Sequence, residues 1–219
     1  FTYRVLAGLT GTGKTKILMD LRARGEQVLD LEGLANHQGS LLGEPEGGQN
    51  MTQKHFESRL WHALSEFDPA KPVWTEAESA KIGQVFCPKA LLQMLRASIR
   101  IEVEVPIEDR VLYLHANYSG WEKRRDVLMG KLKWLKRRHG QDEIDAWSEL
   151  ADAGEWEQFV RRLLEVHYDP AYRSALEKNA LGPTRSIRTE GLLDDGCERA
   201  ANELLGMDFG LLTPILDGA

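Results

Sequence analysis

Only two cysteines, Cys87 and Cys197, occur in 219 residues, and they stand 110 positions apart with no CxxC pair and no Cys/His ligand spacing. That excludes a disulfide framework and a zinc site of the usual kinds, and makes a reduced, cytoplasmic setting the expectation. No apolar run approaches the ~20 residues that a membrane span needs. No basic segment followed by an apolar one opens the chain, so no secretory signal is read there. The first residues read as a strand without an initiator Met, which suggests a piece of a longer protein. Basic residues are outnumbered, 28 Lys and Arg against 34 Asp and Glu, so a wholly basic nucleic-acid binder is excluded but a local basic patch is not. Internal repeats, low-complexity tracts and the N-K-x-D base-reading motif of GTPases are also missing.

What is present is an alternation of short apolar strands and amphipathic helices in a chain long enough to bury a real core. Tyr3–Ala7, Gln27–Leu31, Pro72–Ala77, Arg100–Val105 and Thr184–Thr189 read as strands. Arg100–Val105 alternates Ile and Val with Glu, as a strand with one wet face or at an edge does. Helices are expected over Lys14–Arg24, from a Thr52 cap to Glu66, after Pro88, after Pro106, and over Asp194–Leu205. Residues 33–50, rich in Gly, Asn, Pro and Gln, read as a long loop. Strands separated by helices imply βαβ units and a mainly parallel sheet. Residues 121–178 read as helical throughout, broken near Gly140, Gly154 and Asp169-Pro170. The expected organisation is therefore a P-loop core over 1–118, a helical insertion or lid over 119–180, and completion of the core over 181–219.

Gly8-Leu9-Thr10-Gly11-Thr12-Gly13-Lys14-Thr15 matches G-x-x-x-x-G-K-[ST] between a strand and a helix. Glycines let backbone amides turn around phosphate oxygens, Lys14 supplies a point charge, and the Thr15 hydroxyl suits Mg²⁺. Gly8, Gly11, Thr12, Gly13, Lys14 and Thr15 are thus the expected phosphate-binding residues. Glu76 ends the third strand, where such folds place an acid that orients a metal or a water; the alternative is a solvated strand-end carboxylate. Glu78, Ser79 and Lys81 follow it. Asn36, His37 and Ser40 lie past the second strand on the carboxyl side of the sheet, which makes them candidates for substrate contact, with His37 also a candidate for catalysis beside Lys14 and Glu76. The segment Ile101–Arg110 is similar to the fourth strand and following helix of small-molecule P-loop kinases, and adds Arg110 to the substrate-binding candidates. Cys87 and Cys197 read as small buried hydrophobes.

Eight of the 28 basic residues fall within 123–138: Lys123, Arg124, Arg125, Lys131, Lys133, Lys136, Arg137 and Arg138. Trp121, Leu128, Leu132 and Leu135 form one apolar stripe, and Trp134 falls outside it. A basic face with an exposed aromatic suits phosphate contact plus base stacking, which makes Lys123, Arg124, Arg125, Lys131, Trp134, Arg137 and Arg138 RNA-binding candidates; the plainer alternative is a solvated helix with a covered tryptophan.

Several segments together resemble the tRNA 2-selenouridine synthases: Gly8–Thr15, Gly33–Ser40, Gln53-Lys54-His55-Phe56-Glu57, Glu76–Gly83 and His167-Tyr168-Asp169-Pro170-Ala171-Tyr172. The resemblance covers nearly the whole chain. It implies a bacterial enzyme that joins an N-terminal rhodanese domain to a C-terminal P-loop domain. That enzyme converts wobble 2-thiouridine in tRNA to 2-selenouridine, by S-geranylation from geranyl diphosphate and then replacement with selenium from selenophosphate. This sequence looks like the P-loop domain, and the rhodanese domain and its active-site cysteine have no counterpart in it. The expectation is a transferase domain that binds a phosphorylated substrate, Mg²⁺ and tRNA. Two other readings stay open: a free-standing small-molecule kinase using ATP, and a non-catalytic tRNA-docking module.

Overall fold

The computed structural model describes residues 1–37, 51–118, 124–179 and 182–210. Five strands, β1 (Tyr3–Ala7), β2 (Gln27–Leu29), β3 (Val73–Glu76), β6 (Ile99–Glu104) and β7 (Thr184–Arg188), form one sheet in the order β2-β3-β1-β6-β7. Every pairing in it is parallel. A separate two-stranded antiparallel hairpin, β4 (Lys81–Ile82) and β5 (Val85–Phe86), follows β3.

Side chains alternate across the strands and create two cores, one per face. On one face Leu6, Val28, Trp74, Ile101, Val103 and Ile187 pack with Ile17, Leu18 and Leu21 of α1 (Lys14–Ala23) and with Ala200, Ala201 and Leu204 of α11 (Gly196–Gly206). On the other, Tyr3, Val5, Leu29 and Val73 meet α2 (Leu31–Ala35), α3 (Gln53–Ser65) and α4 (Lys89–Ala97) through Leu31, Phe56, Leu60, Leu91, Leu92 and Leu95. A parallel sheet covered on both faces, with a glycine-rich turn between its central strand and α1, is the P-loop α/β fold, here with kinase-like strand order.

Local chemistry accounts for most boundaries. Thr52 caps α3 by accepting from the His55 amide at 3.2 Å, and Pro88 precedes the first residue of α4. Glu108 and Asp109 occupy the first turn of α5 (Ile107–Tyr118). Three findings differ from the sequence reading. α2 runs from the last residue read as strand, Leu31, into the segment read as loop, because Asp30 accepts from the Gly33 amide at 2.8 Å and caps it. The β4–β5 hairpin was not anticipated; it is only two residues per strand. β6 is internal, flanked by β1 and β7, and its polar face is wet only at its end: Arg100 and Glu102 are half-buried and meet Tyr172, while Glu104 is exposed.

Between α5 and β7 lies a helical block: α6 (Arg125–Leu132), a 3₁₀ turn (Lys133–Leu135), α7 (Lys136–His139), α8 (Gln141–Asp152), α9 (Trp156–Leu163), a π-helical turn (Leu164–Tyr168) and α10 (Asp169–Asn179). Leu128, Leu132, Ile144, Trp147, Phe159 and Leu163 give it a core of its own. The block joins the sheet domain through ion pairs such as Arg161–Glu108, at 3.3 Å.

Candidate functional site

The turn between β1 and α1 is held by positive-φ glycines at 8, 11 and 13. At Gly8 a Cβ would lie 2.7 Å from the Val103 carbonyl oxygen and 2.8 Å from Thr12 Oγ1, so glycine is required by close approach as well as by backbone conformation. No side chain among the described residues caps α1, which leaves its first amides to face an anion. The Thr12 hydroxyl donates to the Leu9 carbonyl at 3.0 Å and braces the turn. Lys14 Nζ donates to the Gly8 and Leu9 carbonyls at 2.8 and 3.3 Å, folded against the loop.

The loop forms one wall of a cavity of about 650 Å³. Gly8, Thr10, Gly11, Thr12, Gly13, Lys14 and Thr15 line it together with Glu32, Glu76, Glu78 and Ser79; Met19, Tyr113 and Leu114 add apolar surface, and Lys16, Asn117 and Tyr172 also line it. Glu76 ends β3 almost fully buried, at 2% exposure, and its Oε1 has no hydrogen-bond partner. Glu32 and Glu78 each bring a carboxylate oxygen to it, the three lying within 4.8 Å of one another. Burial is the main force raising all three above the ordinary carboxylate range. Repulsion from the neighbouring carboxylates adds to it for Glu32 and Glu76, whereas Glu78 is eased by hydrogen bonds from the Ser79 backbone and Glu32; Lys14 opposes the shift in all three. Clustered carboxylate oxygens with an orphaned buried acceptor in one cavity with a phosphate loop are a donor set that fits a hard divalent cation such as Mg²⁺. Glu32, Glu76 and Glu78 would hold it, and the Thr15 hydroxyl lines the same cavity.

The other candidates scatter. Asn36, in the left-handed conformation at φ 52°, and His37 end α2; neither lines the cavity, and the His37 amide donates to the Glu32 carbonyl at 3.0 Å. Ser40 and Lys123 lie outside the described residues. Lys81 is exposed on the hairpin, 5.8 Å from the Phe86 ring centroid. Arg110 is corrected: rather than lining the cavity it is 2% exposed, paired with Asp169 through bonds of 2.9 and 2.7 Å, and it donates to the Thr10 carbonyl. Its guanidinium supports the loop from behind. Gly8 keeps its place in the loop, but its amide donates to Tyr172 Oη at 2.6 Å.

The basic run is not one helix, since the 3₁₀ turn divides it. Trp134 is 81% exposed, beside exposed Lys133, Lys136, Arg137 and Arg138. Arg124 and Lys131 are half-buried. Arg125 is partly buried and engaged within the block, by Asp152 at 2.5 Å and by Ser148 at 3.0 Å. Cys87 and Cys197 are buried in the two sheet cores, with the Cys87 thiol pushed up to about 11 chiefly by burial.

Glu32 and Tyr172 are the site residues that sequence reasoning passed over. The signal for Glu32 was its place two residues beyond an Asp at a strand end; that for Tyr172 was the Asp169-Pro170-Ala171-Tyr172 segment.

Curated tRNA 2-selenouridine synthases from Marinobacter nauticus and Hahella chejuensis are 30% and 33% identical over 201 and 208 residues. These alignments take in 78% and 80% of this chain but 53% and 52% of those proteins, so the chain spans about half their length. Among solved structures, TT1252 from Thermus thermophilus is similar at 18% identity and TM-score 0.44, covering 93% of this chain and 96% of that one. Shikimate kinase from Bacteroides thetaiotaomicron follows at 16% and 0.41, covering 93% and 95%. The family model described as the tRNA 2-selenouridine synthase AAA domain matches residues 1–191, and the chain belongs to that family.

Proposed function

We propose that this chain holds the diphosphate of a phosphorylated donor between its phosphate loop and its three glutamates, and that it presents tRNA to that donor from the helical block. The donor is geranyl diphosphate for S-geranylation of wobble 2-thiouridine, with selenophosphate used in the replacement that follows. The observation that carries this reading is the cavity itself: the loop and Lys14 line it together with Glu32, Glu76 and Glu78, and Met19, Tyr113 and Leu114 add apolar surface suited to a hydrocarbon chain. In the geranylation step the thiocarbonyl sulfur attacks the carbon bonded to the diphosphate, the carbon–oxygen bond breaks and diphosphate leaves, and the N3 proton of the alkylated base is released to solvent. The loop amides and Lys14 face the charge that develops on the leaving oxygens. Glu32, Glu76 and Glu78 would hold Mg²⁺, which would supply further positive charge to the leaving group.

Calorimetry with geranyl diphosphate, inorganic pyrophosphate and ATP, each with Mg²⁺, tests the assignment. Geranyl diphosphate is expected to bind. Lys14→Ala is expected to weaken it by at least ~1.5 kcal/mol, the scale of a lost charge-assisted hydrogen bond, with the circular dichroism unchanged. Equal affinity in parent and variant would remove the loop from the mechanism. Acceptor-dependent ADP release without binding of geranyl diphosphate would instead assign the cavity to a small-molecule kinase.

A further inference from the structure

Two struts reach from the start of α10 to the phosphate loop. Asp169 grips Arg110 through two hydrogen bonds, and Arg110 donates at 3.1 Å to the Thr10 carbonyl. Tyr172, three residues on and so on the same helix face, accepts the Gly8 amide at 2.6 Å. The Tyr172 hydroxyl also accepts from Arg100 at 2.8 Å and donates to Glu102 at 3.5 Å, which occupies both its lone pairs and its proton. Gly8 is buried in a turn with no room for a side chain, so its amide has a fixed direction and needs an acceptor there.

We propose that Tyr172 is a positioning residue for the phosphate loop: by accepting the Gly8 amide it presets the loop for a diphosphate, and it makes that preset state depend on the helical block being docked. The proposal rests on the reading that the loop binds a diphosphate. It gives the block a part in donor binding as well as in RNA contact. Without the hydroxyl, Gly8 keeps a buried donor with no acceptor, the turn relaxes, and the later amides of the loop must be reordered when the anion arrives. The block's docking then adjusts affinity at a site it barely lines.

The test uses the full chain, inorganic pyrophosphate with Mg²⁺ as the probe, and two variants. Tyr172→Phe removes one oxygen atom. Arg162→Ala breaks the Arg162–Glu143 pair, at 2.7 Å and inside the same block, with no link to the loop. Both are expected to lower the melting temperature slightly. Only Tyr172→Phe is expected to weaken pyrophosphate binding, by about five- to tenfold, while Arg162→Ala stays within about twofold of the parent. Unchanged affinity in Tyr172→Phe overturns the positioning role while leaving the loop's function intact. Equal weakening in both variants also overturns it, since the effect would then follow block stability alone. A parent chain that binds no pyrophosphate overturns the diphosphate reading and this proposal with it.

Discussion

Glu76 occupies a position where a carboxylate is costly to ionise: buried, with an unsatisfied oxygen and two acidic neighbours. Its folded-state pKa is raised above its ordinary value, chiefly by burial and then by Glu78. The folded chain therefore binds more protons than the unfolded one in this window. The stability Glu76 contributes is present below the ordinary carboxylate range and is lost as pH rises through the raised value. Glu76→Gln is accordingly expected to melt at the same temperature as the parent at pH 5, and above it at pH 8 without divalent cations. Added Mg²⁺ is expected to close that gap by stabilising only the parent. Thermal melts across this pH series, with and without Mg²⁺, check both statements, and a gap that fails to grow with pH contradicts them. Glu76 was legible in the sequence because it ends an apolar strand next to a phosphate-loop motif. Glu32 was not, because its position depends on α2, a five-residue helix set by one Asp30 cap within glycine-rich sequence. Arg110 reads as a substrate ligand in the sequence because its segment is similar to the fourth strand and following helix of small-molecule P-loop kinases. Its partner Asp169 is 59 residues away, a distance that local spacing does not bridge.

At the scale of elements, periodicity revealed the strands and long helices but not how the helical block turns its corners. The breaks at Gly140 and Gly154 were legible because glycines at positive φ end helices there. The expected break at Asp169-Pro170 is instead a start: a π-helical turn over Leu164–Tyr168 leads directly into α10. That turn carries His167, whose Nδ1 lies 3.1 Å from His139 Nε2, with the Tyr168 ring against it. Burial lowers His167 to about 4, and His139 and Arg138 add to the effect; His139 is lowered as well, first by burial. The folded block thus holds a neutral pair, whereas the unfolded chain takes up protons near the ordinary histidine value of 6.5. Stability is lost as pH falls from 6.5 toward 4. His167→Gln is expected to flatten that loss relative to the parent, read as the difference between their melting temperatures over the same range. A difference that stays constant with pH removes the pair from the acid response.

For the whole molecule, net charge −6 sets a repulsive background for RNA, and the basic residues around Trp134 must overcome it locally. The structure narrows the basic run to a smaller patch than its sequence suggests. Arg125 is paired with Asp152, whereas Lys133, Lys136, Arg137 and Arg138 are exposed around a tryptophan that is 81% exposed among the described residues. Sequence alone could not separate these groups, because Asp152 lies 27 residues along the chain from Arg125. Exposed cations bind phosphates by releasing counterions, so tRNA affinity is expected to fall steeply with salt. Replacing Lys133, Arg137 and Arg138 together with Ala is expected to flatten the slope of log affinity against log salt by up to about three phosphates' worth. Trp134→Ala is expected to act differently, costing about 1–3 kcal/mol at every salt concentration with the slope kept, since stacking on a base moves no counterions. Its high exposure predicts an unchanged melting temperature, which separates lost stacking from lost fold. Filter binding of tRNA across a salt series reads all three quantities. Parent-like affinity and slope in the triple variant would place the RNA surface elsewhere on the chain. A steep slope with no effect of Trp134→Ala would leave the patch as a phosphate contact alone, with the base read near the cavity, where Asn117 and Tyr113 stand beside the loop.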